Sequence, residues 1–217
     1  MPTVDAIFLD YRAVAGLVEQ EFDRNLRLYG DRIQCGRGCS SCCGQMFRIT
    51  LVDAAILSRA VKQLAPEARA ALQSKARTYL KERTRLIQER AREMERDDDR
   101  EVPTTGLRLP CPALDGNACS LYESRPLVCR KWGIPLYDPH HPDTLQACEL
   151  NFPPGTVIED DDLIERQTEI AERWGALKQA MTAYMTPGRT ATTIAEAMLF
   201  DYDEMLTARR SVPKALT

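Results

Sequence analysis

"CGRGCSSCC", residues 35–43, packs four of the chain's eight cysteines into nine residues, the last two adjacent. Thiolate is the soft ligand selected by zinc, copper(I) and iron–sulfur clusters. Cys39-x2-Cys42 is the knuckle spacing common to zinc and iron sites. Gly36, Gly38 and Gly44 let the backbone curl so that its amides can face sulfur. Neighbouring side chains such as Cys42 and Cys43 are expected to point apart. One of the two then serves this site, and the other serves a second metal atom or packs as a buried thiol.

On either side of this run the pattern is helical. Residues 5–29 place Ile7, Tyr11, Val14, Val18, Phe22 and Tyr29 on one stripe, and Gly30 is a stop signal. Thr50 and Asp53 form a capping-box pattern that opens a second helix through about Leu64. Pro66 suits the first turn of a third helix, running to about Asp97, with Leu72, Ala76, Tyr79, Leu86 and Met94 toward the core. Its eight basic and two acidic residues between Arg69 and Arg92 read as a solvated face, because no aromatic interleaving accompanies them apart from Tyr79 of the core stripe. After a Pro-, Asp- and Gly-rich stretch over 98–162, one helix carries Leu163, Ile170, Trp174, Leu177 and Met181. Pro187-Gly188 then breaks the pattern. A last helix, capped by Thr193 and Glu196, is expected to bury Ile194, Met198 and Met205.

The remaining cysteines, Cys111, Cys119, Cys129 and Cys148, lie in that irregular stretch. A second helix of about 14 residues would lead roughly 20 Å outward, and a third of about 31 would return and overshoot by roughly 25 Å. The chain from Asp98 to Pro110 can extend to about 40 Å, enough to bring Cys111 back beside Cys43. Asp115-Gly116 is a hairpin signal. A plain two-residue turn there would set Cys111 and Cys119 on opposite faces, so shared ligation predicts a bulged three-residue loop, Asp115 to Asn117. Pro126 starts a short helix carrying Cys129.

Composition is that of an ordinary globular chain: 44% hydrophobic, 28% charged, net charge −3 over 217 residues. That balance gives no bulk attraction to nucleic acid or an anionic membrane, and no apolar run reaches the roughly 18 residues of a membrane span. The N-terminus lacks the pattern of a secretory signal, so a cytoplasmic location is expected, where thiols stay reduced and clustered cysteines point to metal or redox chemistry before disulfides. Four thiolates around Zn²⁺ or a [4Fe–4S]²⁺ cluster leave a charge of about −2, and Arg37, Arg48, Arg125 and Arg130 are candidate counter-charges.

"CGRGCSSCC" followed at a distance by "CPALDGNACSLYESRPLVCRKWG" (residues 111–133) resembles the YkgJ-type cysteine-cluster family, described as zinc- or iron-chelating or Fe–S-cluster-containing domains. The resemblance covers roughly residues 30–150. It implies metal-binding roles for Cys35, Cys39, Cys42, Cys43, Cys111, Cys119 and Cys129, with Cys148 a looser match. The family's label implies two residues in the first gap, where this chain has three, Gly36 to Gly38.

Cys35-x3-Cys39-x2-Cys42 is also the spacing of radical S-adenosylmethionine enzymes. Those need repeated βα units that this chain does not display, and Ser41 stands where they commonly place an aromatic. Flagellin lysine methylases carry a similar cluster, which keeps a modifying enzyme as the alternative. A cysteine nucleophile would want a histidine base. The chain has only His140 and His141, in a prolyl loop that reads as solvated; one of them is otherwise a late ligand beside Cys148. Trp132 reads equally as core or as a shield over the cluster, and Tyr122 as core. The acidic runs Asp97–Asp99 and Asp160–Asp162 read as helix ends.

The expectation is therefore a mainly α, single-domain protein over 1–217. Its cysteine-cluster core spans about 30–150, with flanking helices at about 5–29 and 163–207, two irregular metal-binding loops and one short β-hairpin near 111–121. An iron–sulfur cluster is preferred as the cofactor and structural zinc is the alternative. Three readings stand: a redox, metal-handling or accessory module with a closed site; a cluster-dependent modifying enzyme of the protein lysine methylase kind; and a helical adaptor stapled by metal. Each leaves room for a protein partner, and none involves nucleic acid or membrane.

Overall fold

The computed structural model describes residues 3–36, 38–94, 102–139, 142, 145–182, 184 and 191–208. Arg37, Asp97–Asp99, His140, His141 and the Pro187-Gly188 break lie outside them. In chain order the helices are α1 (Val4–Tyr29), α2 (Leu51–Lys62), α3 (Pro66–Glu93), α4 (Leu127–Lys131), α5 (Leu163–Thr182), α6 (Ile194–Leu199) and α7 (Tyr202–Ala208). The described strands are three short antiparallel pairs: β1 (Arg48–Thr50) with β6 (Ala191–Thr193), β2 (Leu114–Asp115) with β3 (Ala118–Cys119), and β4 (Leu136–Tyr137) with β5 (Leu145–Gln146). The fold is mainly α. No described helix is long and apolar enough to cross a membrane.

The described residues fall into two compact units. The first draws them from Met1–Arg37 and Arg125–Thr190. Thr3 caps α1 by accepting from the Ala6 N–H at 3.2 Å, and Gly30 ends it at φ 54°, a conformation that costs glycine nothing. Ile7, Tyr11, Val14 and Val18 are buried, and Tyr11 meets Trp174 of α5 edge-on at 6.2 Å. Farther along, Ile33, Ile134 and Phe152 form a core onto which Phe22, Leu26, Tyr29 and Cys35 pack. The buried Glu21 carboxylate would be costly alone. Arg24 answers it at 2.8 Å and also pairs with Asp160, so the second acidic run ties the start of α5 to α1.

The second unit consists of Gly38–Ser124 and Ala191–Ala208. The β1–β6 pair matches Arg48 with Thr193 and Thr50 with Ala191. Each strand runs directly into a helix through a complete capping box, Thr50 with Asp53 and Thr193 with Glu196, as the sequence predicts. Val52, Ala54 and Ala55 of α2 are fully buried, as are Ala195 and Ala197 of α6, and such small side chains let helix axes approach closely. The Ser58 hydroxyl lies 2.9 Å from the carbonyl oxygens of both Ala197 and Phe200 and accepts from the Tyr202 N–H at 3.2 Å, fixing the α6–α7 corner.

Helix α3 starts at Pro66 as expected and buries Leu72, Ala76 and Tyr79, then Ile87 and Ala91. Leu86 is half-buried and packs against the cluster of Met46, Ile87, Ala91 and Val102, whereas Met94, expected in the core, is 41% exposed at the end of the helix. Met205, expected in the core, is 46% exposed on the short α7. The described residues between Gln34 and Gly44 contribute no α-helix to either unit.

Candidate metal centre

Cys39, Cys42, Cys43, Cys111 and Cys119 lie in the second unit, whereas Cys35, Cys129 and Cys148 lie in the first. None of the eight is in a disulfide.

In the second unit, Ser41–Gly44 forms a single 3-10 turn closed by the Cys43 N–H donating to Ser40 O at 2.9 Å and the Gln45 N–H to Cys42 O at 3.0 Å. The segment following α3 returns to this turn. Leu109 N–H donates to Gly44 O at 2.8 Å, Gln45 bridges to Arg108, and Cys111 N–H donates to Cys43 O at 2.7 Å. The return that the sequence made affordable thus ends with Cys111 backbone-paired to Cys43. Met46, Ile87, Ala91 and Val102 pack beneath it. Arg108 donates to Ser41 O, and its guanidinium lies so close over Gly44 that a Cβ there would sit 3.0 Å from Nε. It clamps the turn that carries Cys42 and Cys43.

The hairpin differs from the expected bulge. Leu114 pairs with Cys119 and Asp115 with Ala118, leaving a two-residue turn of Gly116 and Asn117 with Gly116 at φ 58°. The irregularity lies instead at its base, where Leu114 N–H turns back onto Cys111 O at 3.0 Å. Cys111 is therefore released from strand alternation, and strand parity does not decide where it faces relative to Cys119.

Cys42 and Cys43 do not simply point apart, because a tight turn does not alternate its side chains as a strand does. The Cys42 side chain hydrogen-bonds to Cys43 and lowers that thiol to about 7 against an opposing burial effect. Burial pushes Cys111 up to about 12, with Cys119 and Cys43 adding to the rise. As placed, no three His, Cys, Asp or Glu side chains among the described residues are grouped tightly enough to hold an ion. The donor chemistry still fits a soft metal. The second unit gathers soft thiol donors at this point, and Cys43 and Cys119 both act electrostatically on Cys111.

In the first unit Asn151, 1% exposed, spends its whole amide on one corner. Its Oδ1 accepts from Gln34 N–H at 3.1 Å, and its Nδ2 donates to Gly133 O at 2.7 Å and to Cys35 Sγ at 3.2 Å. The turn after Cys148 aims it: the N–H groups of Asn151 and Phe152 both donate to Cys148 O, at 2.9 and 2.8 Å. Cys129 sits in α4, which Pro126 caps as predicted. Gly133 has no room for a side chain, since a Cβ would collide with Cys35 Sγ and come within 3.1 Å of the Phe22 ring. Gly133→Ala should therefore destabilise the protein by about 1–3 kcal/mol through overpacking, read as a lower urea midpoint at unchanged slope; an unchanged midpoint would mean that Cys35 swings away freely.

Of the expected counter-charges, Arg48 is exposed on β1, and Arg130 pairs with Glu19 and donates to Arg125 O at 3.0 Å. Trp132 is the half-buried C-cap of α4. The sequence reading missed Arg108 and Asn151. Neither carries a local motif, and their roles arise from partners remote in the chain.

A family model described as "CxxCxxCC: Putative zinc- or iron-chelating domain" matches residues 34–147, slightly more than half of the chain. The searches of curated proteins and of solved structures returned no match. The matched span runs from just before Cys35 to just before Cys148, and the chain's first cysteine gap is one residue longer than the label.

Proposed function

The chain belongs to the CxxCxxCC family of zinc- or iron-chelating domains, and we propose that it is a metal-binding module whose second-unit thiols, Cys43, Cys111 and Cys119 with Cys39 and Cys42, hold an iron–sulfur cluster, or structural zinc in its place. The observation that carries this reading is the 2.7 Å hydrogen bond from Cys111 N–H to Cys43 O, which brings a late cysteine to the early cluster after a long helical excursion. Bound iron–sulfur would supply one-electron chemistry, and bound zinc would supply cross-linking alone. The role is redox or metal handling, with the centre serving the fold or a protein partner.

The chain's own residues set the conditions for loading. Cys43, near 7, is substantially thiolate at neutral pH, whereas Cys111 must lose a proton to bind. Between pH 7.5 and 9 the apparent zinc affinity should rise about tenfold per pH unit for the Cys111 proton alone. A competition titration at several pH values measures this, and a flat profile would remove Cys111 from the ligand set.

Anaerobic purification with a visible spectrum and metal analysis tests the function. A brown protein absorbing near ~400 nm is the expected result for iron–sulfur charge transfer. A colourless protein with stoichiometric zinc selects the structural branch. A colourless protein that takes up neither metal overturns the proposal.

A further inference from the structure

We propose that Arg83 of α3 is the positioning residue of this thiolate centre, its buried Nε–H held ready to donate to a metal-bound sulfur of the Cys43, Cys111 and Cys119 group. The inference rests on the metal-binding reading above and adds a residue that the cysteine motif does not contain.

Helix α3 and the segment that returns from it run antiparallel and touch at both ends. Near one end Arg90 Nη2 donates to Thr105 O at 3.2 Å, while Ile87 and Ala91 pack with Val102, Leu107 and Leu109. Near the other, Lys75 Nζ reaches Asp115 at 3.1 Å. Cys111 lies between Thr105 and Asp115, and Tyr79 and Arg83 lie between Lys75 and Arg90, so this stretch of helix faces Cys111. Within it, Arg83 is half-buried, one turn from Tyr79 and one turn from Ile87, both buried. Arg83 Nε is buried and has no hydrogen-bond partner, and a buried polar group left unpaired calls for a missing acceptor. The phenol of Tyr79 supports the same neighbourhood. Burial raises it to about 12, while Arg83 pulls it down and Cys111 pushes it up. A four-thiolate centre with a net charge of about −2 is the kind of acceptor that would satisfy the guanidinium, and outer-shell hydrogen bonds to ligands are a usual source of metal affinity. The four arginines singled out from the sequence were chosen by proximity along the chain; Arg83 is remote in sequence and is brought in by the helix.

The test is an anaerobic titration of the full reduced chain with cobalt(II) alone, following the thiolate-to-cobalt charge-transfer band and competing with a chelator for the dissociation constant. Arg83→Met keeps length and helix propensity but removes the donor and the charge. It should bind cobalt about 10–100-fold more weakly, with its band moved to longer wavelength because the sulfur has lost a hydrogen bond. Arg83→Lys, which keeps charge without Nε, should stand between. A merely structural arginine would not move the band, so an Arg83→Met protein with wild-type affinity and band position overturns the inference while leaving the metal reading intact. A wild-type protein without any thiolate-to-cobalt band overturns both. If Arg83→Met does not fold, the band of Arg83→Lys decides: shifted supports the role and unshifted refutes it.

Discussion

Cys111→Ser should strip the centre of its metal, weakening binding beyond the roughly 10–100-fold that loss of an outer-shell partner costs. The substitution exchanges one sulfur for oxygen and keeps the backbone attachment of position 111 to the early cluster: its N–H donates to Cys43 O, and its carbonyl accepts from Leu114 N–H. Both bonds survive in serine. The metal-free variant should therefore match the metal-free wild type in circular dichroism, with at most the ~1–3 kcal/mol cost of burying a hydroxyl in its urea midpoint, while the midpoint gained on adding zinc disappears. Stabilisation by a ligand follows its affinity and concentration, about 2.7 kcal/mol at one hundred times the dissociation constant, so the lost increment is large enough to read directly. A variant that keeps the zinc-dependent gain would show that Cys111 is only a packed thiol.

The largest effect in the first unit is expected at Asn151. This side chain is almost wholly buried and makes three hydrogen bonds, accepting one and donating two. Asn151→Asp is nearly isosteric but replaces the donating NH2 with a carboxylate oxygen, which then faces Gly133 O and Cys35 Sγ. A buried negative charge would then confront the Gly133 carbonyl oxygen, with only the weak Cys35 S–H donor on that side to answer it. The expected loss is about 3–5 kcal/mol, the scale of an uncompensated buried charge. Because protonating the new carboxyl restores a donor, the variant should recover stability as pH falls through the raised pKa of that acid. Urea denaturation of Asn151→Asp at pH 7.5 and pH 5.5 measures both. A loss below ~1 kcal/mol at pH 7.5 would mean that the Gln34, Gly133 and Cys35 corner holds without this amide.

The features legible in the sequence were those whose physics is local. Thr50 with Asp53 and Thr193 with Glu196 satisfy orphan N–H groups within three residues, so the pattern and the structure coincide. Pro66 and Gly30 act through their own dihedrals, and they mark the helix ends as expected. The return of Cys111 to Cys43 followed from chain reach alone. Legibility ended where a side chain's role depends on a distant backbone. Arg108 looks like surface charge until Gly44 and Ser41 lie beneath it, and Asn151 looks like a turn residue until Gln34 and Gly133 close around it. The hairpin was misjudged for a related reason. Its register was deduced from the demand that Cys111 and Cys119 share a strand face, whereas Cys111 has already left the strand. Met94 was assigned by extending a stripe into a terminal turn, and Met205 by running one helix through Phe200, where α6 ends and the chain turns into α7.

The central claim is that cysteines distant in the chain converge as thiolates on one bound transition-metal centre. X-ray absorption at the edge of the metal that copurifies with the full chain tests it most directly, recorded for wild type and for Cys111→Ser. The predicted result is an all-sulfur inner shell at about 2.3 Å in the wild type, with metal lost or a lighter atom replacing one sulfur in the variant. A shell dominated by oxygen or nitrogen, or a sulfur count unchanged by Cys111→Ser, would contradict it.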